Sequence, residues 1–313
     1  MQIYDNVNIL INIGGKKISK NRQRTVNQTQ VIVFKTINEL KNYLNDQKGS
    51  GKTLGFVPTM GALHQGHISL IRKSLTQTDI TICSIFVNPT QFNNSFDLEK
   101  YPRTTAEDMK LLAAANCDVL FIPSVLEMYP NGQIKNTEDY GSITNIFEGE
   151  KRPGHFDGVI TIVSRFFEII NPNQTFFGQK DYQQCMVVNE LINRHFKTIK
   201  LCIEPTVRQD DGLAMSSRNS RLNKAELSDA LAISKALFYI KENWGRYEIN
   251  NLLNEARNII QSSGILEIEY FEICNKTTLE KLSGHSNQYD DAVVVTAVFC
   301  GDVRLIDNLI VYK

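Results

Sequence analysis

Two histidines three residues apart, His64 and His67, flank Gly66 in the stretch VPTMGALHQGHISLI, residues 57–71. A histidine ring nitrogen can donate to a phosphoryl oxygen, and that bond strengthens as charge builds there. Gly61 and Gly66 let the backbone come close to a ligand. The stretch follows a short apolar strand, LGFVP (54–58), and opens an amphipathic helix over 66–77 with Ile68, Ile71 and Leu75 on one face. In an α/β protein, this junction of strand end and helix start is where phosphates bind. No third His or Cys stands nearby, which argues against zinc. The plainer alternative is a pair of histidines that cap the helix.

A second phosphate-like stretch, GSGKT (49–53), does not hold up. A phosphate-binding P-loop needs a Gly where Asp46 stands, with a strand before it and a helix after it. Here a helix (36–47) precedes and a strand follows, so a polar turn is expected. There is no GxSxG elbow and no Cys placed as a nucleophile. The six cysteines are scattered without a CxxC pair, as expected for buried thiols in a reducing compartment.

The elements that must carry the histidines alternate. ITICSIFV (80–87) reads as a fully buried strand. A helix near 105–116, the strand DVLFIP (118–123), a long helix at 181–195 and the strand IKLCIEP (199–205) follow. This order predicts an α/β fold with a parallel sheet. After about residue 207 the texture changes. Two helical patterns (224–243 and 250–262) precede three strands, LEIEYFEI, AVVVTAVF and VRLIDNLIV, the first alternating with Glu267, Glu269 and Glu272 mostly on one side. A smaller α+β domain of antiparallel strands is expected. The predicted organisation is an α/β domain over 31–206 and a smaller α+β domain over 207–313. Residues 1–30, rich in Asn, Gln and basic residues, are expected to be a disordered or non-native extension.

With 34 Lys+Arg against 34 Asp+Glu, the 313-residue chain has no net charge. That disfavours nucleic acid as a partner. No run of ~18 apolar residues suggests a membrane span. The tail's charge is almost all basic, so residues 31–313 are slightly acidic. Affinity for phosphate must come from a few placed groups.

The HxGH element resembles the signature of the nucleotidyltransferase superfamily. SIFVNPTQF (84–92), YPRT (101–104), EGEKRPGHFDGV (148–159), FFGQKDYQQ (176–184), TVRQDDGLAMSSRN (206–219) and RLIDN (304–308) narrow the resemblance to the pantoate–β-alanine ligase family, over roughly residues 31–313. The resemblance implies a cytoplasmic, homodimeric ligase of pantothenate biosynthesis, with a Rossmann-like ATP- and pantoate-binding domain over 31–206 and a smaller lid domain over 207–313. It would join pantoate to β-alanine with ATP and Mg²⁺ through a pantoyl-adenylate. ATP would lie along Met60, Gly61, Ala62, Leu63, His64, Gln65, Gly66 and His67. Gly178, Gln179, Lys180, Asp181, Val207, Met215, Ser216, Ser217 and Arg218 would complete its site. His67, His64 and Lys180 would be catalytic, and Gln91 and Gln184 would bind pantoate. Arg152 and His155 would orient a substrate or brace a loop, and Glu107 or Asp108 could help hold Mg²⁺. The competing readings are another adenylyl-transferring enzyme of the superfamily and a nucleotide-binding module without catalysis.

Overall fold

The computed structural model describes residues 10–11, 31–92, 95–133 and 136–313. The chain packs as two compact units. The first comprises the chain up to Asp139, Arg152–Phe177 and Val187–Glu204; the second comprises Tyr140–Lys151, Gly178–Met186 and Pro205–Lys313. The two short segments 140–151 and 178–186 group with the C-terminal part, although nothing in their composition sets them apart.

In chain order the first unit and its connections run β1 (Leu10–Ile11), β2 (Ile32–Phe34), α1 (Ile37–Gly49), β3 (Leu54–Thr59), α2 (Gln65–Gln77), β4 (Ile80–Ile85), α3 (Ser95–Lys100), α4 (Thr105–Ala114), β5 (Val119–Phe121) and α5 (Val125–Met128). Then come α6 (Glu148–Lys151), α7 (His155–Ile170), β6 (Gln174–Gly178), α8 (Tyr182–His195) and β7 (Lys200–Glu204). The sheet order is β1-β2-β5-β4-β3-β6-β7. Strand β3 is central: the chain first winds outward through β4 and β5, then reverses to β6. That reversal makes a topological switch point next to β3, the place where open α/β sheets bind ligands. The pairs β3–β4, β4–β5, β2–β5 and β3–β6 are all parallel, as the alternation predicted.

Every residue of β4 is buried, so helices cover both faces and no polar alternation is needed. The expected extension over 1–30 lies outside the described residues except for Leu10–Ile11, which pairs in parallel with Ile32–Val33 at the sheet edge. GSGKT forms the predicted polar turn: Gly51 has φ of 77°, and Lys52 Nζ donates to Gln47 Oε1 at 2.7 Å.

Gly55 seats α2 on the sheet. A Cβ there would lie 2.2 Å from Ser74 Oγ and 2.4 Å from Thr78 Oγ1. Ser74 Oγ in turn shares a hydrogen bond with Thr81 Oγ1 of β4 at 2.8 Å. Glycine in β3 thus lets the helix approach closely enough to join a buried hydroxyl cluster.

The second unit contains α9 (Lys224–Asn243), α10 (Ile249–Gln261) and the strands β8 (Leu266–Cys274), β9 (Asp291–Cys300) and β10 (Val303–Tyr312). The strands form an antiparallel meander ordered β10-β9-β8. Asn223 and Glu226 make a reciprocal capping box at the start of α9. Ile249, Leu252, Leu253, Ala256 and Ile260 form the buried stripe of α10. The alternation is interrupted at Glu269, where a register shift between Ile268 and Tyr270 puts Tyr270 on the same face as Glu267 and Glu269. That face also carries Arg304, whose Nε donates to the Glu269 carboxylate at 3.0 Å. Arg304 also grips buried Glu148, at 2.6 and 2.9 Å, and Tyr270 donates to the same carboxylate at 2.7 Å. Removing one partner of such a buried pair typically costs about 3–5 kcal/mol, so this cluster fixes the 140–151 segment to the unit.

Gly55→Ala should destabilise the protein by about 1–3 kcal/mol through overpacking against Ser74 and Thr78. Chemical denaturation measures this; an unchanged midpoint would show that α2 can yield without cost.

Candidate active site

In the first unit, the carboxyl end of β3 turns through Gly61 (φ 86°) and Ala62 (φ 49°) into α2. Ala62 is a non-glycine residue in the left-handed region, a conformation that costs roughly 1–2 kcal/mol unless neighbours enforce it. Asp108, on the first turn of α4, is the neighbour that meets this turn. Its Oδ2 accepts from Ala62 N at 3.0 Å and its Oδ1 from Leu63 N at 2.7 Å. Asp108 is only 1% exposed. Both of its oxygens therefore face backbone N–H groups of the signature loop.

His64 is the N-cap of α2, and the two histidines form a reciprocal capping box. His64 Nδ1 accepts from Gly66 N at 3.1 Å, and His67 Nδ1 accepts from His64 N at 3.3 Å. The rings lie 4.2 Å apart. A nitrogen that accepts cannot carry the ring proton, so in the neutral form both rings are protonated at Nε2. The capping alternative is thus realised without competing with the chemical one: one nitrogen caps the helix and the other is an N–H donor.

Gln91 follows β4 and is buried. Asn88 Nδ2 donates to its Oε1 at 3.2 Å, which orients the amide, and its Nε2 donates to Met60 Sδ at 3.0 Å. Asn88 is itself fixed by Tyr129 Oη (2.7 Å), and it donates to Gly158 O (3.0 Å). His155 and Arg152 brace the same turn. His155 Nδ1 donates to Gln91 O at 2.9 Å, and Arg152 Nη1 donates to the ring's Nε2 at 3.3 Å. Gly158 allows α7 to touch this turn, since a Cβ there would sit 2.5 Å from Thr90 O and 2.6 Å from Gln91 N. Of the two roles open to Arg152 and His155, these contacts fit bracing.

In the second unit, Gly178, Gln179, Lys180 and Asp181 lead into α8, with Lys180 Nζ 3.8 Å from Asp181 Oδ1. Gln184 is half-buried, whereas neighbouring Gln183 is engaged with Ile143 O, Ile146 O and Glu148 N. Val207 and Met215 face each other across a narrow turn, with Met215 N donating to Val207 O at 3.0 Å. Ser216 Oγ caps the short turn Ser217–Arg221 by accepting from Arg218 N at 3.2 Å.

Two residues of β10 organise these segments. Asp307 takes a bidentate bond from Arg208 at 2.6 and 2.9 Å, anchoring the turn between Val207 and Met215. Asn308 Nδ2 donates to both Gln179 O and Lys180 O at 2.8 Å. Sequence reasoning quoted RLIDN as a motif but assigned these residues no task, and it missed Asn88 and Tyr129 as well. The signal was the motif itself, polar Asp-Asn inside an apolar strand. All six cysteines are buried without disulfides, and burial pushes the Cys83 thiol up to about 12, consistent with no thiolate nucleophile.

The profile of the family described as pantoate-beta-alanine ligase matches residues 32–310. A pantothenate synthetase of Bacteroides fragilis is 43% identical over 277 residues, spanning 88% of this chain and 98% of that protein. One from Porphyromonas gingivalis is 41% identical over the same shares. The crystal structure of pantothenate synthetase from Thermus thermophilus superposes with a TM-score of 0.84 at 36% identity, covering 90% of this chain and 99% of that one. A Francisella tularensis pantoate-beta-alanine ligase complexed with beta-gamma ATP and beta-alanine gives 0.74 at 36% identity, covering 89% and 97%. By sequence along nearly its whole described length and by fold, the chain belongs to the pantoate-beta-alanine ligase family.

Proposed function

We propose that this protein condenses (R)-pantoate with β-alanine, using ATP and yielding pantothenate, AMP and diphosphate. One observation carries the reading: in a chain of this family, two histidines protonated at Nε2 stand at the carboxyl end of the central strand. The pantoate carboxylate attacks the α-phosphorus and expels diphosphate. The β-alanine amine then attacks the acyl carbon of the pantoyl-adenylate, expels AMP and loses a proton. A carboxylate alone would have to expel oxide, so adenylation creates the leaving group.

No enzyme nucleophile is required, and catalysis rests on positioning and charge neutralisation. His64 and His67 donate through Nε2 to phosphoryl oxygens as charge develops. Lys180 supplies a point charge, and Ser216, Ser217 and Arg218 serve the leaving diphosphate. Asp181 takes the ribose, Val207 the adenine. Gln91, with its carbonyl oxygen already held by Asn88, meets pantoate as a donor, and Gln184 is the second residue assigned to pantoate. Among the described residues no group of three or more His, Cys, Asp or Glu is arranged to hold a metal. Mg²⁺ comes as the ATP complex, bound chiefly by phosphate oxygens. The reading includes a homodimer in the cytoplasm. No described helix is long and apolar enough to cross a membrane.

The direct test is ATP–diphosphate exchange with purified protein. Exchange should require pantoate and Mg²⁺ but not β-alanine; exchange driven by an amino acid instead of pantoate would overturn the reading. For the pantoate subsite, Gly158→Ala should displace the Gln91 turn and raise the pantoate KM by about 10-fold or more, since ångström-scale misplacement can cost up to ~10²-fold. The ATP KM should stay within about 2-fold, because the added Cβ meets the Thr90–Gln91 turn first. An unchanged pantoate KM would remove Gln91 from that role.

A further inference from the structure

We propose that Asp108 is a positioning residue, a buried carboxylate clamp that holds the signature turn in its left-handed conformation and so aims His64 and His67. The inference rests on the ligase reading for its kinetic consequence but on geometry alone for the clamp. Three donors converge on this one side chain: Ala62 N at 3.0 Å, Leu63 N at 2.7 Å and Thr104 Oγ1 at 3.2 Å. The two backbone donors belong to consecutive residues directly before the His64 cap. Aligning both N–H vectors on one carboxylate requires the turn that Ala62 makes at φ 49°. The space around the carboxylate is closed from the other side as well, since a Cβ on Gly61 would lie 3.1 Å from Asp108 Oδ2. Placement on the first turn of α4 adds the favourable end of the helix dipole to the negative charge.

Without the clamp, nothing else in this contact set compensates Ala62 for its strained backbone. The turn would relax toward ordinary φ values, and the capping box one residue later would lose its fixed starting point. Asparagine cannot substitute: its oxygen can accept one N–H, but its amide nitrogen would face the second. Glutamate keeps the charge but adds a methylene where there is no room.

Two readouts test the clamp. Amide hydrogen exchange in the absence of substrate needs no catalysis: Leu63 N–H should be protected in the native protein, and Asp108→Ala, which removes both acceptor oxygens, should speed its exchange by about 10²-fold or more. Unchanged protection would overturn the proposal even if the enzyme is the proposed ligase. In pantoate-dependent ATP–diphosphate exchange, Asp108→Asn and Asp108→Glu should each lower kcat by about 10- to 100-fold, with the Mg²⁺ concentration for half-activity unchanged. A defect rescued by high Mg²⁺ would make Asp108 a metal ligand instead. Should the variants fold poorly, Ala62→Gly settles the matter. Glycine adopts this φ without strain, so the double variant Ala62→Gly with Asp108→Asn should lose less activity than the product of the single effects, and strict additivity would contradict the clamp. Absence of any pantoate-dependent exchange in the native protein would refute the ligase reading while leaving the Leu63 result to judge the clamp.

Discussion

The structure depends on one constraint at the junction of β3 and α2. Two backbone N–H groups at the start of that helix need acceptors, and the acceptors are Nδ1 atoms of His64 and His67. Most helices meet this need with Ser, Thr, Asp or Asn. Using histidine for the purpose does two things at once. It satisfies the helix start, and it commits the ring proton to Nε2, the nitrogen on the opposite side of the ring. A signature that elsewhere would be read as purely catalytic is here also a structural cap, and the two roles use different atoms of the same rings.

The rest of each unit supports placements of this kind. In the first unit, Gly55 lets α2 rest on the sheet beside Ser74 and Thr78, Asp108 faces the turn before the cap, and the Asn88–Tyr129–His155 set orients Gln91. In the second, two neighbouring residues of one strand act as the hub. Asp307 holds Arg208, and Asn308 holds the carbonyls of Gln179 and Lys180. Two long cationic side chains, Lys180 and Arg218, thus spring from backbone that is itself tied down. Rigid backbone under a long cationic side chain limits the entropy lost when the charge meets phosphate.

Local features were legible in the sequence. The HxGH spacing, the polar turn at GSGKT, the fully apolar β4 and the change of texture near 207 all declare themselves within a few residues. So did the family, through ordered motifs that narrowed the superfamily resemblance. What could not be read were tasks set by partners far along the chain. Asp108 meets Ala62 and Leu63 across 46 and 45 positions, and Asn308 meets Lys180 across 128. An Asp in the first turn of a helix has an ordinary electrostatic reason to be there, which hid its contact with the signature turn. Tyr270 was hidden for a different reason: strict alternation puts it opposite Glu269, but a single register shift in β8 brings it to the face of Glu269 and Arg304.

The absence of net charge fits this picture, because phosphate recognition by a few fixed donors does not require a positive field over the whole surface. It makes the protonation pattern of the two histidines the central claim. Nitrogen-15 NMR of the imidazole rings in the ligand-free protein, at a pH where histidine is neutral, reads that pattern directly. His64 and His67 should both carry the proton on Nε2 with an unprotonated Nδ1. A proton on Nδ1 of either ring would mean that it does not cap α2, and the account would be wrong at its foundation.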